Sequence, residues 1–170
     1  MYDILASVGR GGESAGALAD AAAIAERFHE VEPAIFGSTQ LLVSVLACQA
    51  KVHEEAGDLP RALACQQRNF DLLAPWQKSD PASEELNWRV FGVGQNIATL
   101  SSTLGDHEGA ARILEEALSF APNDWKPDLL VHLARVRALQ GDRAAARAAA
   151  EGALATAKAH EARQILAELD

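Results

Sequence analysis

The sequence predicts an all-α fold made of consecutive helix hairpins, and three observations support this prediction. Of the 170 residues, 35 are Ala and only 5% are aromatic, a composition that favours closely packed helices over a β-sandwich or barrel. A Gly-Asp pair, with Ala five residues after the Gly, occurs three times, at Gly57, Gly105 and Gly141. Pro33 and Pro81 each lie 24 residues before one of these glycines, which indicates a repeated unit.

The repeated Gly-Asp pair has the chemistry of a turn between two helices. Glycine readily adopts the left-handed backbone conformation that ends many helices. An Asp directly after it can cap the next helix by accepting a hydrogen bond from a free backbone N–H group. The small Ala then lies one turn into the second helix, where the two helices approach closely. We therefore expect hairpin bends at residues 57, 105 and 141.

The prolines and glycines place the individual elements along the chain. Proline suits the first turn of a helix, so Pro33 and Pro81 are predicted to begin two long equivalent helices, with Asp80 as a cap. The glycine-rich stretch 9–12 is predicted to break the chain after a first short helix, and residues 74–80 to form the longest loop. Helices are predicted at about 2–8, 14–30, 33–56, 59–73, 81–104, 107–119, 127–140, 143–157 and 159–169.

Composition and charge exclude several classes of function. The formal net charge of -9 disfavours nucleic-acid binding, because backbone phosphates need a cationic surface. No apolar run approaches the length of about 18 residues that a membrane-spanning helix needs. Cys48 and Cys65 do not make a disulfide framework, and Met1-Tyr2-Asp3 lacks the basic region of a signal peptide. We expect a cytoplasmic protein with no nucleic-acid partner and no membrane insertion.

No arrangement of reactive side chains is typical of an enzyme. The five histidines never lie four residues apart and never form a His-Glu-x-x-His motif. Cys48 and His53 are five residues apart on a predicted helix, so they do not face each other. Gly92 and Gly94 fall inside a predicted helix, where close helix approach explains them better than a nucleotide-binding loop. The sequence therefore predicts a non-catalytic protein without a metal or another cofactor.

Three tryptophans are the largest side chains available to anchor packing or binding. Trp76 and Trp125 fall near predicted loops, and Trp88 falls near the start of a long helix. Packing beneath the loops is one explanation, and an exposed hot spot for a partner is the other. The sequence alone leaves both open.

Residues 91–124 resemble one unit of the tetratricopeptide repeat. The resemblance lies in a small residue on the first helix, the turn, three interlocking positions on the second helix and a closing proline: Ala98, Gly105-Asp106, Ala110, Leu114, Ala117 and Pro122. Residues 127–160 and 43–75 follow the same scheme, although Gln66 and Asn69 stand where an aromatic residue and Ala are usual. The long first helices are similar to the extended repeats of regulatory and adaptor members of this family.

The resemblance implies a right-handed solenoid of stacked antiparallel helix hairpins in a single domain, residues 1–170. Its parts would be a degenerate half-repeat at 14–30, repeats at 33–75, 81–122 and 127–157, and a C-terminal capping helix at 159–169. In this family the first helices of the hairpins line a concave groove that holds a peptide or a partner's helix. The resemblance thus implies a non-catalytic protein–protein interaction module.

The family's geometry also implies which side chains line the groove. The partner-binding residues would be Lys51, Gln95, Asn96, Thr99, Asp128, His132 and Arg135. Asn96 would hydrogen-bond a peptide backbone, and Lys51 or Arg135 would pair with a carboxylate. The alternative is that these residues form an ordinary solvated helix surface. The carboxylate clamp of chaperone-binding members is not expected here, because only Asn96 matches it.

Three roles remain open at this point. The chain could be an adaptor, scaffold or regulatory domain, and its size and acidity also resemble those of small secretion-type chaperones. The third role is a self-assembling homo-oligomeric scaffold. In that role Leu18, Ala22 and Ala25 of the helix at 14–30 would pair with a second copy or with a missing domain.

Overall fold

The computed structural model describes residues 11–121 and 123–169, which form eight α-helices. These are α1 (Gly11–Val31), α2 (Phe36–Glu55), α3 (Leu59–Ser79), α4 (Glu84–Thr103), α5 (His107–Phe120), α6 (Lys126–Leu139), α7 (Arg143–Ala153) and α8 (Ala159–Leu169). No described residue lies in a β-strand, so the predicted all-α class is confirmed. Among these helices, none combines the length and the apolar character needed to cross a membrane.

The chain divides into two compact units, one that ends at Lys78 and one that begins at Ser79. In the first unit α1 packs on α2. In the second unit each helix from α4 to α7 packs on the next, and α6 also contacts α8. Helix hairpins therefore stack in chain order within the second unit, as the repeats predict. The assignment of residues 1–170 to a single domain stays a prediction.

The three predicted bends are confirmed. The backbone angle φ is +75° at Gly57, +85° at Gly105 and +79° at Gly141. At the first bend, the N–H of Gly57 donates to the carbonyl oxygen of Glu54 at 3.0 Å, and the N–H of the next residue donates to the carbonyl oxygen of His53 at 2.8 Å. This pair of bonds closes a Schellman motif, which satisfies carbonyls left free at the end of the helix.

The Asp after each turn glycine caps the following helix, as predicted. In all three hairpins one carboxylate oxygen accepts a hydrogen bond from the backbone N–H three residues later. The pairs are Asp58 with Arg61 at 3.3 Å, Asp106 with Gly109 at 2.9 Å and Asp142 with Ala145 at 3.0 Å. Each cap of this kind stabilises its helix by about 1 kcal/mol.

One core cluster of the first unit lies between α1 and α2. Its fully or almost fully buried members are Ala25, Leu42, Val45 and Leu46. Leu18 and Ala22 of α1 pack against this core. The surface formed by Leu18, Ala22 and Ala25, which was predicted to pair with a second copy, is therefore covered by α2. That prediction is wrong because burial against the neighbouring helix uses this surface inside the unit.

Trp76 packs near the end of α3. Its ring centroid lies 5.2 Å from that of Phe36 in an edge-on arrangement, and its indole N–H donates to the hydroxyl of Thr39 at 3.2 Å. Thr39 is fully buried. Of the two explanations for this tryptophan, the structure supports packing, with the indole donor satisfied as buried donors require.

The core of the second unit is built largely from small side chains at the repeat positions. The buried residues include Ala98, Ala110, Leu114 and Ala117. A Cβ atom added to Gly94 would lie 3.5 Å from the Cβ of Ala117, so α4 and α5 approach closely there. A Cβ added to Gly92 would have nothing within 4 Å. Gly94 therefore lies at a contact between α4 and α5 that would still accept a methyl group, and Gly92 faces open space, so close helix approach requires glycine at neither position.

Two long helices begin later than predicted. Pro33 and Pro81 lie in turns, and α2 and α4 each begin three residues after the proline. The cap of α4 is Ser83 and not Asp80, and its hydroxyl oxygen accepts from the N–H of Leu86 at 3.3 Å. The proline fixes its own φ but does not require a helix to follow, and the serine nearer the helix satisfies its free N–H group.

The predicted loop at 74–80 is mostly helical, because α3 continues to Ser79 with Pro75 inside it. Proline removes one helical hydrogen bond and crowds the preceding turn, which is why the sequence predicts a break there. Trp76, the residue after Pro75, contacts Phe36 of α2, which holds this part of α3 against α2 and offsets that cost. The loop prediction is therefore wrong.

Other boundaries differ at the chain's two ends. Gly11 and Gly12 belong to α1 instead of breaking a helix. Helix α7 ends at Ala153 and not at residue 157. The carbonyl of Ala153 accepts from the hydroxyl of Thr156 at 2.5 Å and from its backbone N–H at 3.2 Å, which replaces the helical bond from residue 157. The helix predicted at 2–8, together with Gly9 and Pro122, lies outside the described residues.

Two buried amides mark where the first repeat departs from the family pattern. Gln66 and Asn69 on α3 are 4% and 0% exposed. Neither the carbonyl oxygen of Gln66 nor either polar atom of Asn69 has a hydrogen-bond partner among the described residues. Burying such groups without partners costs about 1–3 kcal/mol each, so these positions lower the stability of the first unit.

Candidate functional site

A cleft of about 290 Å³ opens between α4 and α6 in the second unit. Three of the predicted partner-binding residues line it: Thr99, His132 and Arg135. The complete lining consists of Ala98, Thr99, Ser102, Thr103, Leu114, His132, Arg135, Val136 and Leu139. Apolar side chains therefore combine with hydroxyl, imidazole and guanidinium groups, a mixture typical of sites that bind organic ligands or peptides.

The wall on the α4 side carries hydroxyl groups at helical spacing. The hydroxyl of Thr99 donates to the carbonyl of Gln95 at 2.9 Å, and that of Thr103 donates to the carbonyl of Thr99 at 2.8 Å. Ser102 has its hydroxyl 3.3 Å from Nδ1 of His107. Because the two threonine hydrogens are used within the helix, their oxygen lone pairs remain to accept hydrogen bonds from a guest.

His132 stands half-buried on the opposite wall. Burial lowers the pKa of its imidazole, and the nearby guanidinium of Arg135 lowers it further, whereas the carboxylates of Asp128 and Glu161 act in the opposite direction. The ring is therefore neutral at pH 7, with one nitrogen that donates and one that accepts. This wall can offer a guest either kind of hydrogen bond.

A chain of ion pairs connects α6 with the segment that leads into α8. Nζ of Lys158 lies 2.9 Å from a carboxylate oxygen of Asp128 and 2.9 Å from one of Glu161. The other carboxylate oxygen of Glu161 lies 3.1 Å from Arg135. Hydrogen bonding to Lys158 holds the pKa of the Glu161 carboxyl below its ordinary value, and hydrogen bonding to Glu161 and Asp128 raises the pKa of Lys158. Lys158 and Glu161 are thus both charged at neutral pH.

This network gives a testable pH dependence. We expect the pKa of His132 to be below its ordinary value, lower still in an Asp128→Asn variant and higher in an Arg135→Gln variant. Arg163→Gln, which changes an exposed arginine of α8, should leave it unchanged. Titration of the imidazole Cε1–H signal by NMR measures the pKa of His132 in the unmodified protein and in the three variants. Equal pKa values in the two network variants would contradict the electrostatic assignment.

The same shift has a consequence for stability. The pKa of His132 is lower in the folded state than in the unfolded state, so protonation favours unfolding. The stability that neutral His132 contributes is fully present above its unfolded-state pKa and is lost as the pH falls through its folded-state pKa. The free energy of unfolding should therefore decrease with acidification below neutral pH, and less so in a His132→Gln variant.

A second cleft, of about 510 Å³, lies between α6 and α8. It shares Arg135 and Leu139 with the first cleft. The complete lining consists of Arg135, Ala138, Leu139, Gly141, Arg143, Ile165, Glu168 and Leu169. Leu139 is 62% exposed, so a large apolar side chain stands at the junction of the two clefts. Leu139 was not among the residues predicted from the sequence. The only feature of the sequence that could have indicated it is the presence of a leucine on the solvent side of the last turn of α6.

The remaining predicted residues lie outside the two clefts. Gln95 is half-buried and Asn96 is exposed, and both are on α4, the helix that carries Thr99. Asp128 is held in the ion-pair network with Lys158. Lys51 is exposed on α2, in the unit that ends at Lys78. The structure therefore brings together Thr99, His132 and Arg135, and the binding roles of all seven residues stay predictions.

An aromatic cluster joins the N-terminal ends of α4 and α6. The ring centroid of Trp125 lies 5.2 Å from that of Trp88 and 5.2 Å from that of Phe91. Trp88 and Phe91 stack at 5.9 Å. Packing thus accounts for Trp125, which is half-buried, whereas Trp88 packs on one side and is still 58% exposed.

Reactive side chains form no evident site in the described part of the chain. No group of three or more His, Cys, Asp or Glu side chains among the described residues is placed to hold a metal ion. Cys48 and Cys65 are free thiols. Burial raises the pKa of the Cys65 thiol, an effect that the nearby Arg68 only partly opposes, so this cysteine is less reactive than an ordinary one.

Comparison with known proteins shows a likeness in structure only. No model of a known protein family matches the chain, and no curated protein sequence matches it. Among solved structures, a thermophilic TPR protein from Thermus thermophilus is similar, with 18% sequence identity and a TM-score of 0.47. The match covers 94% of this chain and 76% of that chain.

Proposed function

We propose that this protein is a protein-interaction module that binds a peptide or a partner's helix along the two clefts of the second unit. The observation that carries the proposal is that these clefts meet at Leu139 and Arg135, so one continuous surface crosses α4, α6 and α8. An elongated surface of this kind suits a chain-like guest better than a compact metabolite.

The chemistry of the surface favours a peptide with an apolar anchor. Leu139 offers exposed apolar area at the centre, with Val136 beside it in one cleft and Ile165 in the other. Polar groups surround this centre, with hydroxyl acceptors on α4 and the neutral imidazole of His132 on α6. An apolar contact surrounded by hydrogen-bonding groups is the usual arrangement at the centre of a protein interface.

The ion-pair network limits what the charged residues contribute. Arg135 already pairs with Glu161, and Asp128 with Lys158, although all four side chains keep part of their surface in water. Exposed ion pairs of this kind contribute at most about 1 kcal/mol to stability. A guest carboxylate can therefore replace Glu161 as the partner of Arg135 at little cost. We therefore assign affinity mainly to the apolar centre and orientation mainly to the polar groups.

A display library of random peptides tests this proposal. Peptides selected on the immobilised full chain should bind it in fluorescence anisotropy, and a Leu139→Asp variant should bind them at least about tenfold more weakly, because it places a charge at the apolar centre. Leu139 is largely exposed, so the substitution should leave the fold intact, which circular dichroism verifies.

The chain offers a matched control for this experiment. Leu104 is also exposed, at 43%, and lies just before a hairpin glycine, but it lines neither cleft. A Leu104→Asp variant should bind the selected peptides as tightly as the unmodified protein. Selection that yields no peptide sensitive to Leu139→Asp, or peptides equally sensitive to both changes, would overturn the proposal.

A further inference from the structure

Helix α1 carries an apolar stripe whose three large side chains stay exposed in the part of the chain that the structure describes. Ala17, Ala21, Ile24, Phe28 and Val31 follow one another at alternating spacings of four and three residues. Ile24 is 65% exposed, Phe28 42% and Val31 74%. We refer to these five residues as the α1 stripe. Ile24, Phe28 and Val31 lie apart from the surface of α1 that packs on α2, whereas Ala21 lies at the border and also packs against that core.

The spacing of the α1 stripe is that of a helix that pairs with another helix. Alternation of four and three residues keeps apolar side chains on one line along a helix and is the pattern of a coiled-coil seam. Three large apolar residues within about two helical turns also exceed the scattered exposure that is ordinary on protein surfaces. An α-helix is therefore the partner that fits this stripe.

The order of side-chain sizes along the stripe makes it complementary to itself. The N-terminal half carries small residues, Ala17 and Ala21, and the C-terminal half carries large ones. When two copies of α1 are antiparallel, Ala17 of one lies opposite Phe28 of the other, and Ala21 lies opposite Ile24. Small residues opposite large ones allow close packing, and a two-fold axis repeats both contacts.

Charges beside the stripe favour the same arrangement. Asp20 and Arg27 are exposed and lie on the same side of the stripe, the side away from the core of the unit. In the antiparallel register described above, Asp20 of each copy faces Arg27 of the other, so two ion pairs form across the interface. In a parallel arrangement the two copies of each charged residue would lie on opposite sides of the seam, so Asp20 and Arg27 would not face each other.

We propose that the α1 stripe is the interface of a homodimer in which two copies of α1 pair antiparallel, with Asp20 of each copy facing Arg27 of the other. The contacting surface is Ile24, Phe28 and Val31, and not the buried surface of Leu18, Ala22 and Ala25. This inference concerns the first unit and is independent of the peptide-binding proposal for the second.

Charge exchange tests the register of the pair. In sedimentation equilibrium on the full chain, the unmodified protein should associate from one chain to two as its concentration rises. The single variants Asp20→Arg and Arg27→Glu should each raise the dissociation constant of the homodimer about tenfold, because like charges then face each other. A mixture of these two variants should form heterodimers, detected by native mass spectrometry, because each restores a partner of opposite charge to the other.

A substitution within the stripe provides the second measurement. Ile24→Glu should abolish dimers, because it places a charge between apolar side chains. Ala19→Glu adds the same charge to an exposed position of α1 outside the stripe and should leave the dissociation constant unchanged. A strictly monomeric unmodified protein would overturn the proposal. So would dimers that survive Ile24→Glu, or a mixture of the charge variants that associates no better than either alone.

Discussion

Replacing Ala117 by Leu is expected to lower the free energy of unfolding of the second unit by about 1–3 kcal/mol. Ala117 is fully buried in α5, and a Cβ on Gly94 of α4 would already be only 3.5 Å from its Cβ. The gap beside Gly94 has room for about one methyl group and not for the three carbon atoms that Leu adds, so α4 and α5 must separate or Leu must leave its preferred rotamers. Urea unfolding followed by circular dichroism measures the change.

The same substitution at an exposed alanine separates overpacking from any general effect of leucine. Ala148 is exposed on α7, and Ala148→Leu should change the free energy of unfolding by no more than about 0.5 kcal/mol. Ala110 is also fully buried, so Ala110→Leu should lower the free energy of unfolding as Ala117→Leu does. Unfolding curves that are identical for Ala117→Leu and Ala148→Leu would show that α4 and α5 do not pack through Ala117.

The features that could be predicted from sequence are those fixed by a few neighbouring residues. Each hairpin bend depends on one glycine that must adopt positive φ and one Asp that caps the next helix, so the pairs beginning at Gly57, Gly105 and Gly141 identified all three. The register of the buried alanines in the second unit then follows from the helical period. These local requirements leave few alternatives.

The errors arose where contacts distant in sequence decide the outcome. Pro75 would end an isolated helix, but the packing of Trp76 with Phe36, which is far earlier in the chain, keeps α3 helical. Likewise, nothing in α1 alone indicates which of its two apolar surfaces α2 covers. The sequence predicted the surface that includes Ala25 to be free, whereas α2 buries it and leaves Ile24 exposed.

The candidate site was predictable only in part for the same reason. The repeat register correctly placed Thr99 on α4 and His132 and Arg135 on α6, and the structure brings these three into one cleft. The register could not show that Arg135 pairs with Glu161 of α8, because that contact depends on how the last helix packs. It also gave no reason to select Leu139, whose importance depends on the meeting of two clefts.

Replacing Gly105 by Ala is expected to destabilise the protein by about 1–2 kcal/mol, the cost of a left-handed backbone for a residue with a Cβ atom. Gly105 has φ of +85°, and its N–H donates to the carbonyl of Ser102 at 3.1 Å in the turn that joins α4 to α5. A Cβ there would have nothing within 4 Å, so the expected cost is conformational and not steric. Urea unfolding measures the change.

The opposite result is expected at a glycine inside α4. A Cβ on Gly92 would also have nothing within 4 Å, but Gly92 lies in the interior of this helix with an ordinary helical φ. Gly92→Ala should therefore stabilise the protein by up to about 1 kcal/mol, because Ala loses less backbone freedom than Gly on folding. The two variants add the same methyl group to open space, so only the backbone conformation distinguishes them. Equal changes in the free energy of unfolding would show that the left-handed turn at Gly105 does not determine where α4 ends.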